Sequence, residues 1–274
     1  MTANVRSASM GGDRLAIPGV RNVIAVASGK GGVGKSTVTV NLAFALAQTG
    51  AKVGLLDADI YGPSIPIMVG LNEKPGATDT HVSPLIRNGV RVMSIGFLIP
   101  EDQPVVWRGP MVHGALTQFM TQVDWGDLDY LFIDMPPGTG DAQLTISQNA
   151  PLSGAIIVTT PQSVSLADAK KGLMMFQNVK VPILGVVENM SGSVFGAGGG
   201  QLLAEQFDVP FLGSIPLDAQ IVESGDSGRP IVTDHPDSAV SEVFTKLAGD
   251  VAARLSVLQA GAGEGFKSLS LDWQ

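Results

Sequence analysis

The sequence predicts an α/β fold: a doubly wound, mostly parallel sheet with helices on both faces. Three observations lead there. Short apolar runs alternate with helix-like stretches along most of the chain. Hydrophobic residues make up 45% of the composition and charged residues only 15%, which suits strands covered on both sides. A glycine-rich loop, Gly29 to Thr37, joins an apolar run to a helical one. Such alternation implies right-handed βαβ units, with ligands at the carboxyl ends of the strands. At 274 residues the chain is within reach of one large α/β domain.

The elements follow in order. Residues 1–20 carry Arg6 and Arg14 but no sustained apolar stretch, so they read as a flexible lead and not as a signal peptide. The main domain is expected over 21–257, with no accessory domain ahead of it. Strand candidates are 23–28, 52–57, 91–96, 129–134, 155–160, 183–188 and 211–215. Helices are expected at 36–49, 110–122, 164–178, 199–207 and 237–257; the first has Val38, Leu42, Phe44 and Leu46 and is stopped by Gly50. The Pro- and Gly-rich segment 61–90 reads as a long excursion of the functional kind. Residues 258–274 form a tail. Gly261 to Gly265 is a flexible joint, and the alternation of Leu269, Leu271 and Trp273 fits either an edge strand, a docking peptide or a disordered end.

Composition excludes several roles. No run approaches the roughly 18 apolar residues that span a bilayer, and the tail lacks a basic amphipathic anchor; no membrane association is expected. A net charge of −8 argues against a broad nucleic-acid surface. There is no cysteine, so this chain supplies no disulfide and no thiolate ligand. A cytoplasmic location follows by default. His81, His113 and His235 are scattered and show no metal spacing.

The chemistry is concentrated in the glycine loop. Gly29, Lys30, Gly31, Gly32, Val33, Gly34, Lys35, Ser36 and Thr37 fit G-x-x-x-x-G-K-[ST]. Backbone N–H groups wrap a polyphosphate only where side chains do not block approach, and the following helix adds free N–H groups and its positive dipole end. Lys35 can reach the β- and γ-phosphates, and the Ser36 hydroxyl can ligate Mg²⁺. Asp57 and Asp59 close the second strand two residues apart, on one face if extended structure persists. One would hold metal-bound water and the other orient the attacking water. Asp134 ends an apolar strand, as a carboxylate that holds Mg²⁺ through water does. Gly138, in the stiff segment that follows, offers a backbone N–H to the γ-phosphate, which would make that segment a switch. Lys30 is either a solvated lysine or a cation delivered to the phosphates of a facing subunit.

These residues resemble the deviant Walker A ATPases of the MinD/ParA superfamily, with Lys30 to Thr37 as the signature, and more narrowly the Mrp/ApbC iron–sulfur carrier family. That narrower match runs through Leu56-Asp57-Ala58-Asp59-Ile60-Tyr61-Gly62-Pro63-Ser64, Trp107-Arg108-Gly109-Pro110, Asp134 to Asp141, Glu188-Asn189-Met190-Ser191 and Ile215-Pro216-Leu217-Asp218. The resemblance implies an ATP-binding and ATP-hydrolysing homodimeric switch that requires Mg²⁺. Lys30 would act across the dimer beside Lys35, and Asp59 would orient water. Ser36, Asp57 and Asp134 would serve the metal. Asn189 would take the adenine edge, with Pro216 and Asp218 lining the base pocket. Iron–sulfur assembly factors or client apoproteins would be the partners. One departure stands out. Where the family carries Cys-x-x-Cys, this chain runs Ser191-Gly192-Ser193-Val194-Phe195-Gly196. Serine replaces thiolate poorly in iron–sulfur clusters, so cluster carriage in the usual manner is not expected. Two alternatives stay open: a MinD/ParA-type positioning ATPase, and an ATP-binding scaffold with negligible turnover.

Overall fold

The structure, a computed structural model, describes residues 15–98 and 109–264. Eight strands form one sheet: β1 (Val20–Ser28), β2 (Val53–Asp57), β3 (Leu85–Arg87), β4 (Val90–Ser94), β5 (Leu128–Asp134), β6 (Gly154–Thr159), β7 (Ile183–Ser191) and β8 (Phe211–Pro216). Their order is β3-β4-β2-β5-β1-β6-β7-β8, and every pairing is parallel except β3 with β4. The expected fold class is the one observed. Both β2 and β6 are buried along their whole length, which explains why they read as unbroken apolar runs.

Helices α1 (Lys35–Gln48), α2 (Ile65–Val69), α3 (Gly109–Thr121), α4 (Asp141–Asn149), α5 (Ser163–Asn178), α6 (Gly199–Gln206), α7 (Ala219–Asp226), α8 (Ile231–Asp234) and α9 (Ala239–Glu264) complete the domain. Right-handed crossovers put α3 to α6 on one face of the sheet; α1 packs with α8 and α9 on the other. The chain leaves β1 toward β2 and later crosses back from β5 to β6, so β1 lies where the winding reverses. That is the place where open α/β sheets bind ligands.

Several elements depart from expectation. Order begins before residue 20: the Leu15 N–H donates to the Asn149 carbonyl at 2.9 Å, and Ile17 is buried in the core. At the other end α9 continues through Glu264, so residues 261–264, expected as a flexible joint, are helical. The alternation at Leu269, Leu271 and Trp273 lies outside the described residues, as does the Trp107-Arg108 match. The excursion 61–90 carries α2 and β3. β3 pairs with β4 through a two-residue turn in which Asn88 (φ 46°) and Gly89 (φ 81°) are both left-handed, the hairpin turn Asn-Gly favours. α4 escaped the reading because its polar and β-branched residues weaken the helical pattern.

One backbone contact fixes α2. Gly70, which ends α2, lies against Gly228 beyond α7, and a Cβ on Gly228 would sit 2.6 Å from the Gly70 Cα. Gly228 also has φ +70°. A side chain there meets both strain and backbone. Gly228→Ala is expected to lower unfolding free energy by about 2 kcal/mol or more, measured by urea denaturation; an unchanged midpoint would refute the contact.

Candidate phosphate and metal site

β1 delivers the chain to the glycine loop at Ser28, whose Oγ donates to the Lys30 carbonyl at 2.9 Å. Gly32 and Gly34 both take φ +79°. A Cβ on Gly31 or Gly32 would meet no atom within 4 Å, so that side of the loop is open to a ligand. α1 starts at Lys35 with no side-chain cap hydrogen bond, which leaves first-turn N–H groups at Lys35, Ser36 and Thr37 for an anion. Gly29 packs where α5 passes: a Cβ there would run into the backbone of Asp168. Lys30 is half-buried, and among the described residues it joins no ion pair.

Below the loop lies a row of polar side chains at the strand ends. Ser94, Asp57 and Asp134 are register neighbours on β4, β2 and β5, and all three are fully buried. Lys35, 6% exposed, puts its Nζ 2.8 Å from Asp134 Oδ2 and 3.7 Å from Asp59 Oδ2. Ser36 Oγ donates to the same Asp134 oxygen at 2.6 Å. Lys35, Ser36, Asp59 and Asp134 therefore meet in one place. Two carboxylates, Asp59 and Asp134, meet one lysine there, and one or two carboxylate ligands of this kind fit Mg²⁺. Among the described residues no group of three His, Cys, Asp or Glu side chains converges as a closed metal cage. Mg²⁺ does not need one, because phosphates and water complete its shell.

Thr39 was missed. It is fully buried, and its Oγ1 lies 2.8 Å from Asp134 Oδ1 and 2.8 Å from the Lys35 carbonyl. Only its spacing, one turn after Lys35, hinted at this.

Three expectations need correction. The strand ends at Asp57, so alternation does not carry Asp59 to the site; a loop does. Asp57 is itself occupied: Oδ1 accepts from the Asp59 N–H at 3.1 Å, and Oδ2 from Ser94 Oγ at 3.0 Å and the Ile65 N–H at 3.3 Å. It ties both ends of loop 58–64 and is not a free ligand for metal-bound water. Gly138 has φ +90°, but its N–H donates to the Ser28 carbonyl at 3.0 Å. A phosphate contact would require exchange of that bond.

On the β7 side of the loop, the Asn189 Nδ2 donates to the Val33 carbonyl at 2.9 Å, and a Cβ on Gly34 would collide with that nitrogen. Part of the carboxamide thus supports the loop, leaving Oδ1 and one N–H for a base. Pro216 pairs with Ser191 at the end of β8. Asp218 caps α7 by accepting from the Gln220 N–H at 2.8 Å, a local structural duty the sequence reading did not assign. Glu188 is fully buried and accepts from the N–H groups of Gly198 (3.0 Å) and Gly200 (2.6 Å). It anchors the start of α6, just after a hairpin closed by two hydrogen bonds between Gly192 and Gly196, 2.8 Å each. That hairpin occupies the segment that lacks the thiols, and Val194 is exposed on it.

A family model described as NUBPL iron-transfer P-loop NTPase, of the ParA group, matches residues 19–252. The chain belongs to this family. Among its relatives, an iron–sulfur cluster carrier protein of Synechocystis sp. is 52% identical over 264 residues, spanning 89% of this chain and 74% of that protein. A nucleotide-binding protein of Archaeoglobus fulgidus, solved in complex with ADP, superimposes with a TM-score of 0.71 at 40% identity, over 83% of this chain and 93% of that one. The septum site-determining protein MinD of Pyrococcus horikoshii, solved with Mg-ADP, gives 0.67 at 26% identity, over 86% and 98%. The P-loop NTPase assignment thus agrees with the geometry of the glycine loop. No helix among the described residues is long and apolar enough to cross a membrane.

Burial, and then the neighbouring Asp134, push the Asp57 carboxyl up to about 8; Lys35, Ser94 and the Asp59 N–H offset this only in part. Burial also raises Asp59, against the pull of Lys35. From the unfolded value of 3.8 up to about 8, the folded chain keeps a proton on Asp57 that the unfolded chain has lost. Stability therefore falls as pH rises through that window, by up to about 1.4 kcal/mol per pH unit. In Asp57→Asn the slope should flatten, measured by urea titrations at stepped pH without added ligand. An equal slope would refute this origin.

Proposed function

We propose that this chain is a Mg²⁺-dependent ATPase that works as a homodimeric switch in iron–sulfur cluster assembly or delivery. The observation that carries the reading is the open glycine loop and uncapped α1 start, set directly above Lys35, Ser36, Asp59 and Asp134. The ADP and Mg-ADP complexes of its structural relatives support the choice of an adenine nucleotide. Ser36 and Asp134 would hold Mg²⁺, which when bound neutralises phosphate charge. Loop N–H groups and Lys35 would bind and orient the phosphates, where most catalysis of phosphoryl transfer lies. Asp59 would orient the attacking water. Lys30, with no ion pair among the described residues, would reach the phosphates of the facing subunit. Asn189, Pro216 and Asp218 would border the base.

The names of the relatives support an iron–sulfur context. With no cysteine in the chain, the cluster would be held by an assembly factor or client apoprotein, while this chain supplies the nucleotide-driven step. A cytoplasmic setting without membrane or nucleic-acid binding accompanies this reading, supported by the acidic charge.

Turnover measurements test the mechanism. Lys30→Ala should lower kcat by about 10³-fold or more, as loss of a trans-acting cation does, and Asp59→Ala by about 10²- to 10⁴-fold. Equal rates in wild type and both variants would remove the mechanism. For the cargo, anaerobic incubation of the purified chain with iron and sulfide should leave no visible cluster absorption and no retained iron. A stable chromophore with stoichiometric iron would reinstate direct carriage.

A further inference from the structure

Asp134 has three side-chain partners among the described residues, and they divide unevenly between its oxygens. Lys35 Nζ and Ser36 Oγ both meet Oδ2, at 2.8 and 2.6 Å. Thr39 Oγ1 alone serves Oδ1, at 2.8 Å. The function proposed above gives the first two other work: the ammonium of Lys35 goes to phosphate and the hydroxyl of Ser36 to the metal. Thr39 has no such duty. It is fully buried one turn inside α1, away from the loop, so it can keep its contact while its neighbours exchange theirs.

The Thr39 hydroxyl has one proton and two acceptors at 2.8 Å, Asp134 Oδ1 and the Lys35 carbonyl. A bond to an ionised carboxylate is the stronger of the two. The Lys35 carbonyl is in any case the acceptor for the Thr39 backbone N–H within the helix, so it loses little when the hydroxyl turns to Asp134.

We propose that Thr39 is a positioning residue for the metal. By fixing Asp134 through Oδ1, it holds Oδ2 turned toward Ser36 and Lys35, and so sets Mg²⁺ affinity at the nucleotide site while touching neither metal nor nucleotide. This inference rests on the ATPase reading. Outer-shell partners of this kind typically change metal affinity by about 10- to 100-fold.

The test compares Thr39→Val, which keeps the branched shape without the hydroxyl, with Thr39→Ser, which keeps the hydroxyl; Thr39→Ala is a second hydroxyl-free variant should the valine fail to fold. ATP binding to the full chain is measured calorimetrically in excess chelator and then across a Mg²⁺ series, with ligand-free thermal midpoints as the folding control. In Thr39→Val and Thr39→Ala the half-saturating Mg²⁺ should rise by about 10- to 100-fold. Thr39→Ser should restore the wild-type value, and affinity in chelator should be unchanged in all three. Wild-type Mg²⁺ dependence in the hydroxyl-free variants would overturn the proposal. So would an equal loss of ATP affinity with and without Mg²⁺, or a serine variant as impaired as the valine one. A wild-type chain that binds ATP under neither condition would overturn the ATPase reading itself, and this inference with it.

Discussion

The site depends on one electrostatic constraint: two fully buried carboxylates, Asp57 and Asp134, side by side on adjacent strands with a single buried lysine near them. Like charges so placed cannot both ionise without compensation. Lys35 compensates Asp134 directly, while Asp57 keeps its proton far above the ordinary carboxylate range. Breaking a buried pair of this kind by removing one partner typically costs about 3–5 kcal/mol. A divalent cation among these oxygens and a polyphosphate beside the lysine would satisfy both signs of charge at once.

The surrounding architecture distributes that constraint. Asp57 grips the two ends of loop 58–64, and this loop carries Asp59 and leads into α2. α2 is seated on α7 by the Gly70–Gly228 contact, and α7 begins at the Asp218 cap beside the end of β8. On the other side of the sheet centre, Asn189 on β7 holds the Val33 carbonyl of the glycine loop, and its neighbour Glu188 holds the start of α6. The acids at the ends of β2 and β5, the glycine loop and the edge formed by β7 and β8 are thus joined through short, direct contacts.

Much of this was legible in the chain. The parallel sheet followed from its apolar runs, which a sheet buried on both faces requires. The glycine loop was legible because a backbone that cradles phosphate tolerates few residue types, and Lys35, Ser36 and Asp134 followed from their places at the ends of β1, α1 and β5. The β3–β4 hairpin was overlooked although Asn88-Gly89 marked it. α4 was hidden by residues of poor helical propensity that packing overrides.

Fold class, the phosphate loop and the absence of thiol ligands can be read from the chain alone, because each is a property of local pattern or composition. Only the tertiary structure decided that Asp57 ties down a loop, that the Gly138 N–H is engaged by Ser28, that Asn189 supports the glycine loop and that Thr39 holds Asp134. These roles depend on which strand ends lie side by side in register and which atoms the crossovers bring within about 3 Å. The Asp57 contacts with its loop are local, but the other three join residues close to or beyond a hundred positions apart, and no local pattern in the chain encodes them.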